Sequence, residues 1–311
     1  MSQPPTKSGT IPFKIPKYSV PCVTYYKIFG GLACGAPPVV IVHGSPGAGH
    51  EYLLSFADLW TRHGLPVVFY DQIGCGSSTR LPQTAGDGEF WRESLFIDEL
   101  DNLLDHLDLR GGFHLLGQSW GGMLVGAYAA RRPRGLRRVV IASGLASWEL
   151  SIKGIEMRTG EMDEATREVP RRCEEEGDLD SEAYKEAVMA FSKRFVCRDD
   201  PLPELLLPAL KNLGEDTNVY GTMIGPSIHI PTGSLLGWTS IPALSQITAP
   251  TLVYNGEYDT SHDIAQVPYF EGIPKVRWVT FANAGHMCHV EREVREKVLK
   301  TVGEFLRQGG E

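Results

Sequence analysis

The chain has 311 residues, 42% hydrophobic and 22% charged, with 30 basic side chains against 38 acidic ones. This is enough apolar material for one large α/β domain with an inserted piece, and the net charge of −8 argues against a nucleic-acid or anionic-membrane partner. Six cysteines (22, 34, 75, 173, 197, 288) without paired spacing suit a reduced intracellular chain and not a disulfide frame.

Met1 to Val20 is polar and Pro-rich, with no apolar stretch of the leader type, and Gly309–Glu311 matches no address signal. No run is long enough to span a bilayer, so a cytoplasmic location is expected. Val23–Phe29 alternates like a strand. Pro38–Val42 is a buried strand running into His43-Gly44, and Gly49–His63 has helical spacing. Pro66–Tyr70 is a strand ending at Asp71, and Ser94–Leu107 is a helix with leucines along one side. Phe113–Leu116 and Arg137–Ala142 are further strands, with a helix over Met123–Ala130 between them. The arginines at 131, 132, 134, 137 and 138 are expected at that helix's C-terminus, where positive charge suits the dipole. Alternation of this kind predicts a parallel sheet with helices on both faces.

Residues 147–236 break the alternation. They are charged and helical, with a helix expected over Ser181–Phe195. Strands then resume at Thr251–Asn255 and Val276–Phe281, each followed by a helix, Ile264–Glu271 and Arg292–Arg307. The reading is a core made of 1–146 and 237–311 with 147–236 as a helical cap over the strand ends.

The chemistry concentrates at Gly117-Gln-Ser119-Trp-Gly121, between a strand and a helix. A Gly-x-Ser-x-Gly reversal lifts the serine hydroxyl to where a base can reach it. The partners of such a serine follow in the order acid, then histidine. Asp259 and His286 each fall just past a predicted strand, on the same edge of the sheet as Ser119. Glu257 and Asp263 compete as acids, and His262 and His289 as bases. The oxyanion donors are expected to be the backbone N–H groups of Trp120 and Ser45, the latter in the loop His43-Gly44-Ser45-Pro46-Gly47. Asp71 is assigned to bracing its own turn, with Ser77 and Ser78 as turn residues. The spacing of His286, Cys288 and His289 is too cramped for a metal centre, and no metal or cofactor is expected.

These pieces resemble the proline iminopeptidases and tricorn-interacting aminopeptidases, α/β-hydrolases with a helical cap. The matching stretches are His43–Gly47, Asp71–Ser77, Gly117–Gly122, Val219–Ser227, Thr232–Leu235, Gly256–Asp259 and Gly285-His286. The resemblance implies the α/β-hydrolase fold, a Ser119–Asp259–His286 triad and oxyanion donors at Trp120 and at Ser45, usually Gly in that family. It also implies glutamates that grip a free N-terminal amine. At the matching positions this chain has Ile228, followed by His229 in place of an aromatic, and Thr260. Gly44, Ile228, His229 and Thr260 are therefore the expected substrate-binding residues. The expected substrate is a small, fairly apolar amide, ester or lactone without a free amine, of which a fungal-type natural-product intermediate is one example. A non-hydrolytic enzyme on the same scaffold, a binding protein, and a true prolyl aminopeptidase with Glu215 or Asp216 as amine anchor are the alternatives. The oligomeric state is not legible.

Overall fold

A computed structural model of the protein describes residues 4–16 and 18–308. Met1–Gln3, Lys17 and Gly309–Glu311 lie outside the described residues, and so do the readings of the extreme termini. Eight strands form one sheet: β1 Lys7–Phe13, β2 Cys22–Phe29, β3 Val39–Val42, β4 Val67–Asp71, β5 Phe113–Gln118, β6 Leu136–Ala142, β7 Thr251–Gly256 and β8 Val276–Phe281. Their order is β1-β2-β4-β3-β5-β6-β7-β8. β2 runs antiparallel to both its neighbours, β1 and β4, and every neighbouring pair from β4 to β8 is parallel.

Alternate side chains of the parallel strands enter two different cores. Val40, Val42 and Leu115 pack on one face of the sheet, and Val39, Ile41 and Leu116 on the other. Helices cover both faces, as expected of parallel strands too apolar to meet water. They are α1 Asp58–His63, α2 Glu93–His106, α3 Trp120–Ala130, α4 Trp148–Gly160, α5 Glu164–Glu176, α6 Glu182–Phe195, α7 Leu207–Glu215, α8 Asn218–Met223, α9 Asp263–Gly272 and α10 Arg295–Arg307. Among the described residues, no helix is long and apolar enough to cross a membrane.

The five helices α4–α8 lie between β6 and β7. The chain leaves and rejoins the sheet through a narrow neck, where Ser147 bridges to Thr239 and Trp148 N donates to Trp238 O (2.9 Å).

The structure departs from the sequence reading in four places. β1 lies in the polar, Pro-rich stretch, where no strand is read from the sequence; it is an edge strand whose inward side chains are few (Ile11, Phe13) and which carries Pro12, tolerated at an edge. The segment before α1 is a 3-10 turn, Glu51–Ala57, whose threefold repeat stacks Leu53 and Phe56 into the core. The last helix begins at Arg295, because Glu291 turns back to accept from Gly285 N and Arg198 N. Of the arginine cluster, Arg137 and Arg138 belong to β6 and only the first three follow α3.

Candidate active site

Ser119 caps α3 at φ 57°, ψ −120°, a strained conformation for a residue with a side chain. The strain persists because the reversal is locked on both sides. Ser119 N donates to Ala142 O (2.9 Å). A Cβ on Gly117 would come within 2.0 Å of Gly121 O, and one on Gly121 within 2.1 Å of Val42 O. The hydroxyl-bearing carbon is thereby held out at the carboxyl end of β5. Trp120 supplies the first N–H of α3, which has no acceptor within its helix.

Asp259 follows β7 and is fully buried. Its carboxylate accepts from His286 Nδ1 at 2.6 Å, from Ser261 N at 2.7 Å and from Gly256 N at 3.2 Å. With Nδ1 donating to Asp259, the His286 Nε2 is left as the acceptor. Ser119, His286, Ser45, Trp120, Ile228, His229 and Thr260 all line one cavity of about 250 Å³. Gly44 does not. It is buried, and its N–H is donated to the Tyr52 hydroxyl (2.6 Å), which fixes the loop.

The competing acids and bases are used elsewhere. Glu257 accepts from Asn283 N, and Asp263 from Asn255 Nδ2. His262 Nδ1 accepts from Ile264 N at the start of α9. His289 stacks on Phe56, and burial pushes its pKa down to about 3. Asp71 braces its turn as expected, accepting from Ser77 N (2.8 Å), and it also accepts from both His50 N and His50 Nδ1. His50, Glu51 and Asp71 bring metal-capable atoms within 4.8 Å of one another, but the His50 nitrogen facing Asp71 is already committed as a donor.

Three positioning groups escaped the sequence reading. Gln72 Nε2 donates to His43 O (2.8 Å), and its Oε1 accepts from Trp120 Nε1 (2.9 Å). His43 Nε2 accepts from Gln72 N, and burial drops that imidazole's pKa to about 4, so it stays neutral. Arg158 on α4, itself buried, donates through Nε to Asp259 O (2.9 Å) and through a terminal nitrogen to Glu257 O. Tyr52 is the third. Of these, Gln72 and its partner His43 lay in stretches that carried the family resemblance; nothing in the local pattern around Arg158 pointed to β7.

The helical segment docks directly on the histidine loop. His286 N donates to Phe195 O (3.0 Å) and Met287 N to Val196 O (2.9 Å). The site cavity is walled on that side by Ile155, Val188, Phe191, Val196 and Ile228. His229 meets Phe191 edge-on at 4.7 Å, and burial holds its imidazole below the ordinary pKa. Among the described residues, no Asp, Glu, Lys or Arg lines this cavity. Glu215 is exposed and pairs with Lys211, and Asp216 accepts from Asn218 N, so neither reaches the site as an amine anchor. A larger cavity of about 490 Å³ adjoins it, with Ser45, Val188, Ser192, Val196 and Met287 as shared walls.

A profile of the α/β-hydrolase fold matches residues 37–293. Proline iminopeptidase from Levilactobacillus brevis is 33% identical over 275 residues, covering 86% of this chain and 88% of that one. The Clostridioides difficile proline iminopeptidase is 33% identical over 301 residues, 96% of this chain and 97% of its own. Among solved structures, VinJ is 37% identical with a TM-score of 0.91, covering 97% of this chain and 99% of that one. Proline iminopeptidase from Mycobacterium smegmatis is 32% identical with a TM-score of 0.88, covering 96% and 98%.

Proposed function

This chain belongs to the proline iminopeptidase-like α/β-hydrolases, and on that premise we propose that it is a serine hydrolase acting on neutral, apolar amides or esters. Ser119 Oγ attacks the scissile carbonyl while His286 Nε2 takes its proton. Asp259 holds the imidazole in the required tautomer and stabilises its cation. The backbone N–H groups of Ser45 and Trp120 receive the oxyanion. His286 then returns the proton to the leaving nitrogen or oxygen, and water, activated by the same imidazole, releases the acyl group from Ser119.

The observation that carries the substrate reading is the uncharged wall. An ammonium group moved into a cavity without a carboxylate loses its hydration and gains no counter-charge, at a cost of several kcal/mol. Ile155, Val188, Phe191 and Ile228 instead favour hydrocarbon. The adjoining cavity carries Lys185, Lys193, Asp199 and Asp200 on its wall, with Lys193 and Asp200 paired at 3.2 Å, but Leu206, Leu210, Leu213 and Met189 give it a broad apolar surface that supports a substrate with an apolar extension beyond the cleaved bond. A small substrate, the expectation from sequence alone, would leave that space unused.

The test is a substrate panel with Ser119 labelling as its control. A fluorophosphonate probe is expected to modify Ser119 stoichiometrically. Neutral p-nitrophenyl esters and N-acylated anilides are expected to turn over faster than prolyl and other free-amine anilides. Preference for the free-amine compounds would overturn the substrate reading and leave the hydrolase. The relatives' name favours that second reading, cleavage of an N-terminal proline, and the same panel decides between them.

A further inference from the structure

The oxyanion loop, the nucleophile reversal and the histidine loop follow three different strands, β3, β5 and β8. One hydrogen-bonded chain joins them. Gly44 N donates to the Tyr52 hydroxyl at 2.6 Å, and that hydroxyl donates to Gln118 Oε1, also at 2.6 Å. Gln118 Nε2 donates onward to His286 O at 3.3 Å. A tyrosine hydroxyl has a single proton, so with Gln118 as its acceptor it can only accept from Gly44, and the direction of the chain is set.

Each link is buried. Tyr52 is 2% exposed and Gln118 1%. Gly44 N–H needs a partner inside the protein, and Tyr52 is the one it has. The loop is also pressed against the reversal: a Cβ on Gly44 would come within 2.5 Å of Gln118 O and 2.7 Å of Ser119 Cβ. The next residue is Ser45, whose φ of 32° is strained for a side chain. An anchor on Gly44 therefore sets where the Ser45 N–H points.

We infer that Tyr52 is a positioning residue for the reaction, its hydroxyl holding the oxyanion loop in register with Ser119 and His286. This rests on the serine-hydrolase reading. Tyr52 does so from the wall of the larger cavity, so its ring and its hydroxyl have separable tasks. The ring packs against whatever fills that cavity. The hydroxyl acts on the transition state through Gly44 and Gln118, without touching the substrate.

Tyr52→Phe separates the two. It keeps the ring and removes both hydrogen bonds, leaving Gly44 N–H and Gln118 Oε1 unpaired. With p-nitrophenyl butyrate and octanoate, kcat is expected to fall between about ten- and a hundred-fold, the scale set by ångström-level misplacement of a reacting group. KM for both esters is expected to stay within about two-fold, since uniform binding is untouched. Affinity for a trifluoromethyl ketone, which places an oxyanion in the same loop, is expected to fall by the same factor as kcat. Rates are normalised to the folded, fluorophosphonate-titratable enzyme, so lost stability does not imitate the effect. An unchanged kcat, or a raised KM with kcat intact, would overturn the inference and leave Tyr52 as a cavity wall. If Tyr52→Phe does not fold, Gln118→Met cuts the same chain one link further on and carries the same expected split. If the wild-type protein takes no label at Ser119, it is the hydrolase reading that fails, before Tyr52 is tested.

Discussion

Asp259 accepts three hydrogen bonds, and Gln72 joins His43 to Trp120, while the Tyr52–Gln118 chain spans three strand ends. Across the same cavity, Ile155, Phe191 and Phe195 form a small apolar cluster of their own, with Ile228 packed against it. The two walls thus obey different physics. Directional bonds of fixed length hold the sheet rim, where a displacement of a fraction of an ångström matters to the chemistry. Non-directional packing shapes the helical wall, where one apolar side chain can replace another of like volume at modest cost. On the serine-hydrolase reading proposed above, reactivity is tied to the rim, and selectivity can drift in the helices without disturbing it. The few polar ties between them, Arg158 to Asp259 and His286 to Phe195, run to backbone oxygens and are indifferent to which side chains line the cavity.

The strongest way to break this division is at Asp259. Asp259→Asn keeps the shape of the side chain but favours the wrong His286 tautomer. A loss of about 10⁴ in kcat is expected, with KM for p-nitrophenyl butyrate little changed. A loss below ten-fold would mean that the rim does not carry the chemistry. Ile228→Glu probes the opposite wall. It places a carboxylate on the apolar wall, at the position where the resemblance implies an amine-gripping glutamate. The ratio of free-amine to N-acylated anilide turnover is expected to rise about ten- to a hundred-fold, the value of one charge-assisted hydrogen bond. Labelling of Ser119 by fluorophosphonate should persist. If that variant loses the label as well, the two walls are not separable.

The rim was the legible part of the sequence, and the reason is local. Ser119, Asp259 and His286 each sit one short turn beyond an apolar run, so the strand pattern itself marked their common edge. Ile228 and Thr260, singled out through the resemblance, both line the cavity, where among the described residues no Asp, Glu, Lys or Arg is present. Tyr52 was hidden inside a 3-10 turn whose spacing imitates a helix, and its value lies in contact with Gln118, 66 positions away. Arg158 reaches Asp259 across 101 positions from a helix with no special pattern. The larger cavity is enclosed by side chains from α6, α7 and the loops between them together with Ser45, Tyr52 and Met287, an arrangement that no period in the chain announces. What was missed is what depends on pairs of distant residues.

The smallest expected effect concerns stability, and it sharpens the same contrast. Glu99 on α2 is fully buried beneath the rim, where it accepts from Thr24 Oγ1 (2.5 Å) and, through both oxygens, from Ile73 N. Burial raises its pKa from 4.5 to about 8, against the lowering effect of those bonds, with the nearby Asp71 adding to the rise. The folded state thus keeps a proton that the unfolded chain has released above pH 4.5. The stabilisation from this proton is fully present below pH 4.5 and is lost as pH climbs through 8. His43 and His289 act in the reverse sense. Their imidazoles stay neutral in the fold down to about pH 4 and 3, whereas the unfolded chain binds protons below 6.5, so they cost stability as pH falls beneath that value. Glu99→Gln is neutral at every pH and removes only the alkaline arm. The urea midpoint of the wild type is expected to fall between pH 6 and 8.5, and that of the variant to stay flatter over the same interval. At pH 5.5 the variant is expected to be the weaker of the two, because its amide nitrogen cannot accept from Ile73 N, whereas both oxygens of the protonated carboxyl can. Midpoints that run parallel across the range would place the titrating group elsewhere. Among the described residues, the apolar helical wall has no comparable group facing this cavity except His229, so substitutions at Val188 or Phe191 should shift the whole curve without changing its slope.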